Sequence, residues 1–312
     1  MAEAPAAAEA HDPGHTPDQV ESQIQFHEGQ LAKTTGWPAI SRAAVALDAD
    51  ALRRQLAAGI AVDLKCSYAF PATPLQLIFG FTNETIVYQR GGLAGFLAWA
   101  AKPAQSRREI DEGIDADRVA CVELLLAHGA SPNPDGEGSP PPLFSAASKG
   151  VLAAVKMLLA AGSEANVLYH FDQNQPNRVF SALHMLILEN NPDDAAIADA
   201  LLKAGADANP PEFDGRTLME WAIYGGHRDM WPVLLRGGAI LPTRESPFHG
   251  DRYDSHRAHP YLRKIDAAGS WTAHEKAHRS RLQAIFAPKF THLVPPELVA
   301  RIVEYSFHLG FY

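Results

Sequence analysis

"ALLKAGADAN" at residues 200–209 is followed, a few polar residues later, by "GRTLMEWA" at residues 215–222, and these two blocks decide the fold. The first is an apolar pair, Leu201 and Leu202, closed by Gly205, the pattern of a helix that ends in a left-handed cap. The second opens on Thr217, whose hydroxyl can cap the free N–H groups of a helix start. The first block recurs outward along the chain as "QLAAGIAVD" at Gln55, "LLLAHGASPN" at Leu124, "MLLAAGSEAN" at Met157 and "VLLRGGAIL" at Val233. Its glycines, Gly59, Gly129, Gly162, Gly205 and Gly238, are separated by 70, 33, 43 and 33 residues. A period of 33 with two insertions accounts for all four intervals, and a fixed period of this size means stacked supersecondary units.

The second block recurs in the same register, as "TPLQLIF" from Thr73, "PPLFSAASKG" from Pro141, "SALHMLI" from Ser181 and "TLMEWAIYGG" from Thr217. These stretches resemble the T-P-L-H-x-A segment of ankyrin repeats, where Thr and Pro start the inner helix. The Leu-Leu pair then belongs to an outer helix, and a hairpin-like finger follows the glycine. The resemblance covers residues 34–242 in about five copies, with "GADAN" at Gly205–Asn209 and "GRTLMEWA" the closest to the family. It implies an all-α solenoid of helix-turn-helix units with hairpin fingers, the first unit acting as an N-terminal cap. It also implies a protein-binding scaffold whose concave face is made of finger tips and inner helices.

Composition agrees with such a scaffold. Hydrophobic residues make up 46% and charged residues 20%, as in a soluble globular protein. The net charge of -9 opposes the basic footprint of a nucleic-acid binder. Cys66 and Cys121 form no Cys-x-x-Cys pair and read as buried apolar residues in a reducing compartment. The longest apolar run, "LAGFLAWAA" from Leu93, is about half of the roughly 18 residues a membrane span requires. The N-terminus has neither the basic nor the apolar region of a signal peptide, and residues 1–33 are expected to form a largely disordered tail. A cytoplasmic or nuclear protein, monomeric by itself, is the expectation.

Two interruptions fall inside the repeats. The insertion at residues 83–116 separates the inner and outer helices of the second unit, and its Leu93, Phe96, Leu97 and Trp99 have helical spacing. It is either an added helix folded back on the array or a partner-binding element. The finger "VLYHFDQNQPNRVF" from Val167 to Phe180 is longer than its relatives and carries Tyr169, His170 and Phe171. Its aromatic residues are either binding anchors or a cover for the next finger. The repeat register puts Phe81, Ser148, Lys149, Leu188, Glu189 and Tyr224 at variable positions of inner helices, and Glu137, Arg178, Phe213 and Arg216 on fingers. The expected partner-binding set is Tyr169, His170, Phe171, Arg178, Phe213, Arg216, Trp221, Tyr224, Lys149 and Glu189.

Beyond Leu241 the repeat stops. Residues 243–269 read as a His-rich linker whose His249, His256 and His259 are surface residues, and residues 270–312 as a helical extension. Within the extension, His274-Glu275-Lys276-Ala277-His278 matches the H-E-x-x-H pattern of zinc peptidases. On that pattern His274 and His278 would be ligands, Glu275 the base, and Glu297 or Glu304 a third ligand. Thr272 and Glu275 also form a T-x-x-E capping box, Lys276 lies inside the motif and Arg279 follows it. The expectation is therefore no metal, no cofactor and no catalytic residue. The last stretch, from His292, has an apolar face of Leu298, Val299, Ile302, Val303 and Phe307 behind Pro295 and Pro296. It resembles the opening helix of F-box segments, which would make Leu298, Ile302 and Phe307 contacts for a cullin-ligase adaptor. The alternative is a cap on the bare end of the last repeat.

Overall fold

The computed structural model describes residues 17–66, 71–135, 138–170, 178–242, 251–290, 295, 297–299 and 301–302. It is an all-α repeat solenoid in which a single short two-stranded ribbon is the only sheet among the described residues. The chain divides into two compact units at Ser139 and Pro140.

The first unit contains α1 (Pro17–Ala32), α2 (Ala39–Val45), α3 (Ala49–Ala57), α4 (Pro74–Leu77), α5 (Asn83–Ala100) and α6 (Ala104–Ala127). Helices α2 and α3 form one helical pair, and α4 with the end of α6 forms the next, α4 packing on α2 and α6 on α3. The insertion is helical apart from a turn at residues 101–103. It supplies α5, interrupted at Gly92 (φ 59°), and the first half of α6, so the outer helix of this repeat is an extension of the insert. Arg118 ties the two helices together. Completely buried, it pairs with Asp115 at 2.6 Å and donates to the Asn83 side chain at 2.5 Å and the Phe81 carbonyl at 3.1 Å.

Residues 17–32, expected within a disordered tail, form α1, which packs on α5. The physical reason is an aromatic site that the insertion provides. The buried His27 ring lies 5.1 Å from Phe96 and 5.7 Å from Tyr88, and its Nδ1 is hydrogen-bonded to Thr85 Oγ1 at 3.0 Å.

The second unit contains α7 (Pro142–Ser148), α8 (Leu152–Ala160), β1 (Leu168–His170), β2 (Val179–Ser181), α9 (Ala182–Glu189), α10 (Asp194–Lys203), α11 (Leu218–Gly225) and α12 (Met230–Arg236). Three helical pairs stack here: inner helices α7, α9 and α11 pack in sequence, as do outer helices α8, α10 and α12. Each pair has an apolar seam, with Leu158, Leu183, Leu186, Leu201, Ile223 and Trp231 fully enclosed. The repeat glycines all have positive φ, from 77° at Gly59 to 99° at Gly238, the left-handed turn expected of them. Inner helices begin at Thr73, Ser181 and Thr217, each accepting from the backbone three residues on and each bonded in return by that residue's side chain, Gln76, His184 or Glu220.

Three further helices follow: α13 (Asp251–Arg257), α14 (Pro260–Ala268) and α15 (Trp271–Phe290). Residues 251–268, expected in a linker, are thus mostly helical, and the two histidines described there are packing residues. His256 Nδ1–H donates to the Ile223 carbonyl at 2.8 Å, and His259 accepts from the Tyr261 amide and stands edge-on to Trp231 at 5.5 Å. Gly226 lies beneath His256, where a Cβ would meet the imidazole at 2.7 Å. Helix α13 packs on α11 and α15 on α12, so both helices of the last repeat are covered upstream of the segment from His292. Helix α15 is capped by Ser270, whose Oγ accepts from the Ala273 amide at 3.1 Å, rather than by Thr272; Glu275 instead pairs with Arg279 one turn on. In the last stretch Val299 is buried while Leu298 and Ile302 are exposed; His249, Val303, Glu304 and Phe307 lie outside the described residues.

Candidate protein-binding surface

The long finger becomes an antiparallel ribbon, with Tyr169 opposite Phe180. Period-2 alternation sends Leu168 and His170 to solvent and turns Tyr169 inward, 5.3 Å from Phe144. Phe144, Phe180, Met185 and Phe213 form a buried cluster, against which Tyr169 and Trp221 pack. Phe213, expected on the contact surface, is only 7% exposed and belongs to that core. Tyr169 is half-buried, and burial raises its phenol pKa. Tyr169 thus packs on this cluster, while Phe171 lies outside the described residues.

From this core an aromatic ladder climbs to the surface. Phe180 meets Phe213 at 4.4 Å, Phe213 stacks on Trp221 at 5.5 Å, and Trp221 stands edge-on to Tyr224 at 5.9 Å. The Trp221 Nε1–H donates to the Phe213 carbonyl at 2.9 Å, which fixes the indole plane. Two arginines lie over the ladder. Arg178 is 5.4 Å from the Phe213 ring and pairs with Asp214 at 3.3 Å; Arg216 is 4.8 Å from Trp221 and 4.9 Å from Tyr224. Such a cation over two ring faces is held by their quadrupoles, at about 0.5–1 kcal/mol per exposed contact.

At the solvent end the ladder borders a groove of about 340 Å³ between α9 and α11, lined by Ile187, Leu188, Asn190, Trp221, Tyr224 and His227. Leu188 is 45% and Tyr224 36% exposed, large apolar groups left open beside a guanidinium. The structure thus brings Arg216, Trp221 and Tyr224 together with Leu188, and sets Arg178 beside them on the ribbon side. Lys149 caps the C-terminus of α7 and Glu189, exposed, ends α9. Repeat register marks Leu188 only as a variable position; its place beside Tyr224 depends on α9 and α11 being neighbours.

The peptidase pattern does not assemble. Glu275 is held by Arg279, the His274 and His278 rings lie 6.2 Å apart, and Lys264 and Arg281 line the same cavity, so a zinc dication would meet repulsion there. Among the described residues no three His, Cys, Asp or Glu side chains converge on a possible metal position. Cys66 and Cys121 are free and buried, and burial pushes the Cys121 thiol up to about 12. Among the described residues no helix is long and apolar enough to cross a membrane.

A family model for ankyrin repeats, in 3 copies, matches residues 143–244, the stretch that carries the aromatic ladder and the groove. No curated protein matches the chain. Ankyrin repeats are a protein–protein interaction module and typically non-enzymatic. With the repeat register, the paired helices and this match in agreement, the chain carries ankyrin repeats over residues 143–244.

Proposed function

We propose that the chain is a scaffold that holds a partner protein on the inner-helix side of its second unit, centred on Arg216, Trp221, Tyr224 and Leu188. One observation carries this reading: two aromatic rings, each held by one guanidinium, line an open groove instead of being buried in the core. Rigid aromatic and arginine side chains at the edge of a pocket are the groups that dominate interface energies, because little freedom is lost when they bind. Lys149, Glu189, His170 and Arg178 form the polar surroundings. The buried free thiols support a cytosolic or nuclear site, and the scaffold acts as a single chain.

The test is capture of a partner by full-length protein and by Tyr224→Ala, Leu188→Ser and Arg216→Ala. Each is expected to weaken capture about tenfold or more while helical content stays as in the parent. Unchanged capture by all three would remove the groove from the interface.

A second reading rests on the exposed Leu298 and Ile302 flanking buried Val299. On it, the F-box-like segment contacts a cullin-ligase adaptor. Co-purification of that adaptor, lost in Leu298→Ser with Ile302→Ser, would support it; loss of folding in the same variant would favour a structural role.

A further inference from the structure

The residues of the peptidase-like motif line a cavity with another chemistry. Between α12, α14 and α15 lies a partly enclosed space of about 150 Å³, walled by Arg236, Tyr261, Lys264, His274, His278 and Arg281 together with Trp271. That volume is on the order of one benzene ring. Its lining holds three permanent cations and no acid. Arg236, Lys264 and Arg281 make no ion pair or hydrogen bond with any described group, and the Arg236 Nε is buried without a partner. Glu275, the nearest acid on α15, is taken up by Arg279.

The neutral groups are donors too. Trp271 Nε1–H donates to the Tyr261 hydroxyl at 3.2 Å, which leaves the Tyr261 proton with no acceptor among the described residues. Tyr261 and His274 meet edge to face at 6.3 Å, fixing the wall. Burial first, then neighbouring cations, lower the pKa values of both His274 and His278. In a chain of net charge -9, a cluster of unpaired cations around one cavity is an uncompensated repulsion that an anionic ligand would relieve.

We infer that this cavity is a binding site for a phosphate monoester. Arg236 would supply the directional fork, Lys264 and Arg281 charge from the rim, and Tyr261 one neutral hydrogen bond. The space accommodates the phosphate and the first atoms of its carrier. The site is on the outer-helix and extension side and does not depend on the groove between α9 and α11.

Calorimetric titration of the full chain with inorganic phosphate, and separately with N-acetyl-phosphoserine methylamide, tests it. Saturable one-to-one binding of at least one probe is expected, weakened ~tenfold or more in Lys264→Gln with Arg281→Gln, since two charge-assisted contacts are lost together. Both side chains are exposed, so the variant should melt as the parent does. Lys276→Gln, on α15 outside the cavity, makes a like charge change and should leave affinity within about twofold. Tighter binding of the phosphoserine derivative identifies a peptide-borne ligand, and equal affinity a free small phosphate. Absence of saturable binding with both probes, or equal weakening by Lys276→Gln, overturns the assignment.

Discussion

The Asn209 side chain bridges one repeat to the next, donating from Nδ2 to the Gly238 carbonyl at 3.0 Å while its Oδ1 accepts from the Ile240 amide at 2.9 Å. Asn166 makes the same pair of bonds to Gly205 and Asp207, at 2.9 and 2.7 Å. In the first unit Asp63 accepts from the Ser131 amide at 3.1 Å. All three stand four residues after a repeat glycine, so the same position serves as the staple in these three repeats. Asn209→Ala is expected to lower stability by about 1 kcal/mol, read by urea denaturation. Asn209→Asp keeps the acceptor and should lose less. A parental midpoint for the alanine variant would make the bridge dispensable.

His184 makes the stability of its repeat depend on acid. Burial lowers its pKa from 6.5 to about 4, and its Nδ1 accepts from the Ser181 amide, a role only the neutral ring can fill. The unfolded chain binds a proton at this residue below about pH 6.5 and the folded chain only near 4, so stability falls as pH drops through that window. His184→Gln, which installs the residue found at the equivalent Gln76, should keep the helix cap and flatten the loss. Thermal melts between pH 8 and pH 4 read the difference, and parallel curves for parent and variant would contradict it.

Asp194 pulls the other way. Burial raises its pKa to about 7, although the Asn191 amide and side chain favour the charged form. The folded state thus holds a proton between about pH 4 and pH 7 that the unfolded state releases, and stability declines as pH rises through that range. Asp194→Asn retains an acceptor for the Asn191 amide without the buried charge. It should melt above the parent at pH 8, with the gap narrowing toward pH 4.

Arg118→Met should be among the costliest substitutions in the first unit, at about 3 kcal/mol, because it strands Asn83, the Phe81 carbonyl and Asp115 together. Hydrogen exchange along α5 gives the readout. Faster exchange confined to α6 would place the tie elsewhere.

What was legible in the sequence follows from how locally each feature is encoded. The glycine period and the Thr73, Ser181 and Thr217 helix starts are carried by contiguous residues, and the helical pairs lie where they predict. The order of α1 was not legible, because it depends on Tyr88 and Phe96, 61 and 69 residues away from its own His27. Thr272 matched a capping box by spacing, yet Ser270 two residues earlier already satisfied the helix end. At the candidate surface, register picked out Arg216 and Tyr224, but it gave Phe213 the same standing; burial separates them, and burial is set by Phe180 and Phe144 on other elements.

Helix α6 has no joint between what was inserted and what was repeated. Its 24 residues make one rod of about 36 Å, with Cys121 and Leu125 embedded in the core at one end and the inserted residues at the other. Such a rod is a lever: torque applied at its Ala104 end reaches the repeat core through one unbroken helix. Excising residues 83–116 would therefore shorten a structural beam rather than trim a loop.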